Sequence, residues 1–343
     1  MAKHFGIKDI AEITGYSVAT VSRVLNKKGK YSVDAEATIL EAAAKYKYRP
    51  DVQAKGLKNL KTHYIGILIP DINIHFYFSV AQKIQVELID KNYYPIYLNV
   101  GPNGLTLDQG MDILLSLNVA GIICISSQID NRYLDQLDIP VVYVNRIFTE
   151  MDKLQANVKR SSVSMDYQQG SALAAKELCE KGCKKVTFIA TEPQGMSGQS
   201  NQIKKKTFQD VVEHLGMEYV DCADNEDIKE GIYAASYRII KTLRETHPDV
   251  DGIYCGSDYC AVGAVAYLME QGIDVPGSVQ VISFGQTHEL EIAVKAFSAI
   301  VLPEKRLAKE ASDLIIHLVE QEDMPLKEVI IPVSFSKGAT TKP

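Results

Sequence analysis

The sequence predicts an α/β protein in which a short helical head precedes two doubly wound α/β units. The chain has 343 residues, and because domains run to about 100–200 residues, two or three units are expected. A Lys- and Ala-rich N-terminal segment gives way near His63 to alternating apolar and amphipathic stretches, and this alternation restarts after Asp166. Strands that alternate with helices indicate parallel sheets, because parallel neighbours need a crossover helix.

Short apolar runs predict the strands, and apolar residues at helical spacing predict the helices. The first unit has predicted strands 64–70, 94–100, 121–126 and 141–144 and predicted helices 76–91, 110–117 and 132–137. The second unit has predicted strands 185–190, 252–255 and 279–284 and predicted helices 168–181, 203–214, 231–246 and 259–271. Ligands bind such sheets beyond the carboxyl ends of the strands, so a small-molecule cleft between the two units is expected.

The composition is that of a globular protein, and it argues against several classes. No stretch approaches the roughly 20 apolar residues of a membrane span, and the first residues lack the apolar core of a signal peptide, so a cytoplasmic protein is expected. The six cysteines show neither a C-x-x-C pair nor the spacing of a zinc site, so buried free thiols and no metal are expected. These cysteines are Cys124, Cys179, Cys183, Cys222, Cys255 and Cys260.

Charge is distributed unevenly along the chain. The net charge is −6, but residues 1–62 hold 12 Lys and Arg against 6 Asp and Glu. The head is therefore basic while the remainder is acidic. A basic segment at one end indicates a nucleic-acid partner for that end.

The signatures of nucleotide and hydrolytic enzymes are absent from the sequence. No G-x-G-x-x-G follows the first strand, where Gly66–Asp71 stands instead, and no G-x-x-x-x-G-K-[ST] occurs. Neither G-x-S-x-G nor H-E-x-x-H is present, and the histidines show no spacing for a metal or a triad. The sequence therefore predicts no catalytic residue and no cofactor.

The first 50 residues have the pattern of a helix-turn-helix. One helical face carries Ile7, Ile10, Ala11 and Thr14, Gly15 ends that helix, and Ser17 is suited to cap a second one. In a helix-turn-helix the second helix enters the major groove of DNA. A third helix, capped by Ser32 and extending to Tyr46, is expected to complete a small core with Ala35, Ile39, Leu40 and Ala43. The alternative is an Ala-rich helical hairpin that serves only oligomerisation.

The ordered residues of this segment resemble the LacI/GalR family of bacterial transcription regulators, and the resemblance extends from residue 4 to about residue 341. In the head it is carried by Ala11, Gly15, Thr20, Val21, Ser22, Arg23, Leu25 and Asn26. Further on it is carried by Tyr48–Asp51, Leu57, Ile65-Gly66, Asn145-Arg146, Ser257–Ala264, Gly272–Pro276 and Ile282–Phe284.

The resemblance implies a homodimer that reads a palindromic operator, with a body like that of periplasmic sugar-binding proteins. It implies four parts: a head at 1–50, a hinge helix and linker at 51–63, and two effector half-domains. The first half-domain comprises 64–164 plus about 288–320, and the second comprises 165–287 plus about 321–340. A leucine-heptad tail, as in the tetrameric members, does not follow Ser336–Thr341, so a dimer is expected.

Carried over by position, the DNA-binding residues lie on the second helix and in the hinge. They are Ser17, Val18, Ala19, Thr20, Ser22, Arg23, Asn26 and Leu57. Val18 and Ala19 are suited to thymine methyl groups and Arg23 to guanine. Leu57 matches the leucine that wedges into the minor groove, its alternative being an exposed linker residue, and Gly56 favours a hinge that is ordered only by DNA. Ala35-Glu36 replaces the family's usual phosphate-binding Thr-Arg, so some backbone affinity is expected to be lost.

The resemblance also implies a set of effector residues. They are Asp71, Phe76, Tyr77, Asn145, Arg146, Asp166, Lys204, Asp258 and Gln286. An aspartate can accept from sugar hydroxyls, and an amide followed by a guanidinium suits vicinal hydroxyls. The alternatives are helix packing for Phe76 and Tyr77, helix capping for Asp258, and a solvated face for the Lys204–Lys206 run.

Three departures from the family pattern leave the effector open. Lys204 stands where the family usually has arginine, an aromatic wall residue is replaced near Glu226, and Gly285-Gln286 stands at an acidic position. Asn145-Arg146-Ile147 most resembles the galactose-type repressors, which implies a galactose-related sugar or phosphosugar. The sign of the response stays open between an inducer and a corepressor of the purine type. A sugar-binding protein without a DNA role is the rival from another class.

Overall fold

The computed structural model describes residues 7–25, 29–46, 62–101, 104–125, 139–148, 160–191, 198–222, 231–286, 296–321 and 326–343. The chain forms two compact units, Met1–Thr62 and His63–Pro343. Predictions on Asn26, Leu57, the hinge helix, the helix at 132–137 and the region near Glu226 lie outside the described residues. Within the described ranges, no helix is both long and apolar enough to cross a membrane.

The described residues of the first unit form three helices: α1 (Ile7–Thr14), α2 (Val18–Leu25) and α3 (Val33–Lys45). Gly15 joins α1 to α2 with φ +71°, a left-handed conformation that glycine adopts without steric cost. Ser17 Oγ accepts from the Thr20 backbone N–H at 3.1 Å, and Ser32 Oγ accepts from that of Ala35 at 3.2 Å. Both predicted serine caps are therefore present.

The core of this unit is small and nearly as predicted. It consists of Ile10, Ala11, Val21, Val24, Ala35 and Ile39. Leu40 and Ala43 were also expected in this core but do not belong to it, since Leu40 is 44% exposed and Ala43 is half-buried, whereas Ala42 is buried. Successive residues of a helix are about 100° apart, so Ala42, three positions after Ile39, shares its inner face and Leu40 does not.

The second unit contains two six-stranded sheets. The first sheet has the order β11-β5-β4-β3-β1-β2, and all its neighbours are parallel. Its strands are β1 (Tyr64–Ile69), β2 (Tyr94–Asn99), β3 (Gly121–Ile125), β4 (Val141–Val144), β5 (Arg160–Met165) and β11 (Lys327–Ile331). The second sheet has the order β12-β10-β9-β8-β6-β7, and only β12 is antiparallel. Its strands are β6 (Lys185–Ile189), β7 (Glu218–Val220), β8 (Gly252–Cys255), β9 (Gln280–Phe284), β10 (Ser298–Val301) and β12 (Ser334–Ser336).

Helices pack on both sheets and complete two half-domains. The first half-domain is the first sheet with α4 (His75–Asp90), α5 (Leu107–Ser116) and α10 (Glu304–Glu320). The second half-domain is the second sheet with α6 (Tyr167–Glu180), α7 (Gln199–His214), α8 (Ile232–Thr246) and α9 (Asp258–Glu270). The six cysteines are free thiols, and all except the half-buried Cys179 are buried.

Over the residues that the structure describes, the chain passes between the half-domains three times, after β5, after β10 and after β11. The distribution of the C-terminal residues therefore differs from the expectation. Ser298 pairs with Ile282, which places β10 in the second sheet, although about 288–320 was expected in the first half-domain. Lys327 pairs with Ser161, which places β11 in the first sheet, although about 321–340 was expected in the second.

Gly263 allows α9 to pack closely against α8. A Cβ atom at this position would lie 2.5 Å from the Tyr233 carbonyl oxygen and 3.0 Å from the Ser236 Cβ. Gly263→Ala is expected to lower the free energy of unfolding by about 1–3 kcal/mol through overpacking, despite the better helix propensity of alanine. Urea denaturation measures this, with the exposed Gln271→Ala as control. Unchanged stability would show that the two helices separate at little cost.

Candidate functional site

Helix α2 presents a mostly exposed face that carries both apolar and polar side chains. Val21 and Val24 are buried and fix the helix on the head, while Ser17, Val18, Ala19 and Arg23 are exposed and Thr20 and Ser22 are half-buried. Gly29 lies beside Arg23, because a Cβ there would be 3.3 Å from Arg23 Cδ. The structure thus brings six of the eight predicted DNA-binding residues onto one short helix and its cap.

The start of α3 has lost the features of a phosphate site. Ala35 is 2% exposed and belongs to the core, and the first turn carries Asp34 and Glu36. Acidic residues stabilise a helix N-terminus through its dipole, but they repel phosphate. The expected loss of a contact to the DNA backbone at this helix stays a prediction.

The predicted effector residues follow strands of both sheets at their carboxyl ends, or begin the helices there. Asn145 follows β4 and Asp166 follows β5 in the first sheet, and Asp258 and Gln286 lie beyond β8 and β9 in the second. Hydrogen bonds join the two edges. The most buried connection runs through Tyr167, a residue that no sequence motif indicates.

Tyr167 connects the half-domains from the first position of α6. It is 2% exposed, and its hydroxyl donates to Oδ1 of Asn145. Burial, and then the neighbouring Tyr77, raises the pKa of Tyr167, so this hydroxyl stays a protonated donor. Asn145 has φ +70°, a left-handed conformation that asparagine tolerates better than most residues.

Lys204 on α7 is a buried cation beside Tyr167. Its Nζ donates to the Gly256 carbonyl at 2.7 Å and lies 4.5 Å from the Phe284 ring centroid and 6.0 Å from that of Tyr167. A cation over aromatic faces gains about 0.5–2 kcal/mol, more where water is excluded. Lys204 is only 4% exposed, so the solvated face belongs to the other two lysines of the run. Lys205 pairs with Asp221 and Lys206 with Asp210.

Asp258 lies beside Gly285, and it is not the N-cap of α9. Ser257 Oγ accepts from the Cys260 backbone N–H at 3.2 Å and caps α9. Asp258 Oδ1 accepts from the adjacent Tyr259 N–H at 2.9 Å, and a Cβ at Gly285 would be 3.9 Å from its carboxylate. The capping alternative for Asp258 is therefore wrong.

Removal of the Ser257 cap provides a test of this assignment. Ser257→Ala is expected to lower the free energy of unfolding by about 1 kcal/mol, because the Cys260 N–H loses its acceptor. Asp258→Asn, the adjacent control, is expected to leave stability unchanged in the same urea titration. A larger loss for Asp258→Asn than for Ser257→Ala would return the capping role to Asp258.

Two other predicted aspartates serve the local backbone. Asp71 Oδ1 accepts from the Asn73 backbone N–H at 2.9 Å and from its Nδ2 at 3.0 Å. Asp166 caps α6 by accepting from the Gln169 N–H at 2.8 Å. In both, one carboxylate oxygen is already engaged in shaping the loop.

The remaining predicted residues lie at the rim of this region. Phe76 and Tyr77 are half-buried with ring centroids 5.6 Å apart, and both pack on the main apolar cluster. The guanidinium of Arg146 lies 5.4 Å from the Tyr143 ring and 6.0 Å from the Phe148 ring. Gln286 is half-buried. The structure thus brings Tyr77, Asn145, Lys204 and Asp258 around Tyr167 and Phe284, and it holds Arg146 against rings of its own half-domain.

Comparisons with known proteins agree with this architecture. Residues 6–51 match bacterial regulatory proteins of the lacI family, and residues 175–341 match the periplasmic binding protein-like domain. The ribose operon repressor of Halalkalibacterium halodurans is 28% identical over 336 residues, covering 98% of this chain and 97% of the relative. Catabolite control protein A of Staphylococcus aureus strain Mu50 is 27% identical over 349 residues, covering 98% of this chain and 99% of the relative.

Solved structures show the same fold. The Lac repressor dimer bound to operator and the anti-inducer ONPF superposes with a TM-score of 0.82 at 17% identity, covering 99% of this chain and all of that one (100%). The complex of the regulator CelR with cellobiose gives a TM-score of 0.69 at 19% identity, covering 98% and 100%. A helix-turn-helix head on a two-sheet, periplasmic-binding-protein-like body defines a DNA-binding transcriptional regulator. The chain therefore carries a DNA-binding domain of the lacI family and a periplasmic binding protein-like domain.

Proposed function

We propose that this protein is a cytoplasmic, homodimeric repressor whose operator affinity is changed by a sugar bound between its half-domains. The observation that supports the sugar site is the cluster at the facing strand ends. An amide (Asn145) and an ammonium (Lys204) lie beside the Tyr167 ring, and the ammonium also lies beside the Phe284 ring. A carboxylate (Asp258) lies next to Gly285, the residue that follows Phe284. Donors and acceptors for hydroxyls around an apolar ring face are the chemistry of sugar recognition.

Ribose is the first sugar to test. Two relatives are ribose operon repressors, from Halalkalibacterium halodurans and Bacillus subtilis. A LacI family regulator from Enterococcus faecium, similar in fold, was solved with bound ribose. These similar proteins favour a pentose as the effector over the galactose-related sugar that Asn145-Arg146-Ile147 implies.

The homodimer is supported by an apolar surface on the first half-domain. Phe78, Val86 and Ile89 are exposed along α4, and Tyr94 is exposed on β2, the edge strand of its sheet. Exposed apolar groups at a sheet edge favour burial against a second subunit.

The function is tested by DNA binding with and without sugar. An operator selected from random DNA by the protein itself is titrated by fluorescence anisotropy at two salt concentrations, with D-ribose, D-galactose and their phosphates added in turn. One sugar is expected to change operator affinity by about 5–150-fold, the usual range of an allosteric coupling. The direction of the change separates an inducer from a corepressor. Failure to select any DNA sequence would favour the alternative function, that of a sugar-binding protein without a DNA role.

A further inference from the structure

Two helices of the second half-domain donate hydrogen bonds to one short segment of the first. Tyr167, the first residue of α6, donates from its hydroxyl to Asn145 Oδ1. Gln199, the first residue of α7, donates from Nε2 to the Ile147 carbonyl oxygen at 2.8 Å. The two acceptors lie on either side of Arg146.

The chemistry of the acceptors fixes the direction of both bonds. A backbone carbonyl only accepts, so the Gln199 atom that faces Ile147 is the amide nitrogen. The Tyr167 hydroxyl lies near two oxygens of Asn145, the side-chain Oδ1 and the backbone O at 3.5 Å, and therefore donates. Tyr167 is itself held by the rings and the ammonium around it, since Phe284 lies 5.8 Å and Lys204 6.0 Å from its ring centroid.

The segment is also anchored within its own half-domain. The Asn145 N–H donates to the Val163 carbonyl at 2.8 Å, and the Phe148 N–H donates to Glu328 Oε1 at 2.9 Å. Residues 145–148 thus follow β4 with both ends tied to the first sheet. From the second half-domain, Tyr167 holds the Asn145 side chain and Gln199 holds the Ile147 carbonyl.

We propose that Tyr167 and Gln199 are positioning residues of the effector site. They hold the segment Asn145–Ile147 across the cleft, so that Tyr167 fixes the Asn145 carboxamide and Gln199 fixes the Arg146 guanidinium for a bound sugar. This inference rests on the proposed function, because it concerns how that site is preorganised. Side chains held in the bound geometry spare the ligand the cost of ordering them.

The first test needs no ligand and uses the full-length protein. Hydrogen–deuterium exchange with mass spectrometry follows a peptide that contains residues 141–148. Tyr167→Phe and Gln199→Ala are each expected to speed its slow exchange by roughly 2–10-fold, the effect of losing one hydrogen bond on a local opening. Unchanged exchange in both variants overturns the proposal.

Each variant has a matched control in the second half-domain. Gln209 lies on the same helix as Gln199 and donates to Glu213 at 2.8 Å, and the Tyr237 hydroxyl donates to Glu270 at 2.7 Å. Gln209→Ala and Tyr237→Phe remove equivalent bonds that do not reach residues 141–148. If the control variants speed exchange of this peptide equally, the effect comes from general destabilisation of the protein, and the proposal is overturned.

The second test separates positioning from a structural role. Binding of D-ribose and D-galactose is measured by calorimetry for the parent protein, Gln199→Ala, Arg146→Ala and the double variant. Gln199→Ala is expected to weaken sugar binding about 3–10-fold in the parent but hardly in the Arg146→Ala background, because the group it positions is then absent. An equal loss in both backgrounds, or none, overturns the positioning role while the proposed function stands. A parent protein that binds neither sugar overturns the proposed effector site, and the positioning role with it.

Discussion

Arg23→Ala is expected to lower operator affinity by about 5–150-fold while leaving sugar binding and dimerisation unchanged. A side chain that pairs with guanine contributes about 1–3 kcal/mol of discrimination between bases. Arg23 is exposed on α2, with Val21 and Val24 anchoring the helix behind it. Fluorescence anisotropy on operator and on random DNA measures the loss and its specificity.

Lys8→Ala is the control for charge, because Lys8 is an exposed cation on α1 rather than α2. The substitution is expected to weaken binding to operator DNA and to random DNA alike through the loss of one positive charge. If Arg23→Ala also weakens binding to both DNAs equally, Arg23 contacts phosphate and not a base. Parent-like operator binding by Arg23→Ala would reject α2 as the reading helix.

Asp258→Asn is expected to weaken sugar binding by about 10–100-fold. The substitution keeps the shape of the side chain but removes its charge, and a charge-assisted hydrogen bond contributes roughly 1.5–3 kcal/mol. Because Ser257 caps α9, the variant is expected to remain a folded dimer that still binds operator. Calorimetry with D-ribose and D-galactose measures the loss, and operator titrations show that more sugar is needed for the response.

Asp166→Asn is the matched control for this experiment. Asp166 caps α6 at the same edge of the cleft, and asparagine caps a helix about as well as aspartate. We expect its effect on sugar affinity to be the smaller of the two. Unchanged sugar affinity in Asp258→Asn would move the carboxylate contact to another residue.

Most strands and helices were predictable because each has its own local pattern. Val141–Val144 and Gly252–Cys255 are short apolar runs, and both are strands with the predicted bounds. β5 was not predicted, because Arg160–Met165 contains three serines and yet every residue of it is buried. A polar sequence is buried there because the strand lies inside the sheet, between β4 and β11, which its own residues do not reveal.

The sequence predicted which positions belong to the candidate site, but it did not predict the contacts that their side chains make. The family resemblance implied Asn145 and Asp258, and both follow strands at the edge where ligands bind parallel sheets. Lys204 looked like part of a solvated lysine run, and only the packing of α7 shows that it lies under Phe284. Gln199 acts through one bond to a backbone carbonyl 52 residues away. No local pattern encodes such a bond.

The three passages of the chain between the half-domains have a consequence for synthesis on the ribosome. The three helices of the head end at Lys45, so the head can fold early, as N-terminal domains generally do. The first sheet receives its edge strand β11 only at Lys327, and the second receives β12 only at Ser334. A premature stop codon anywhere between Leu302 and Lys327 therefore removes an edge strand from both sheets at once. Such a gene would encode a complete DNA-reading head attached to an unfinished body that could not respond to sugar.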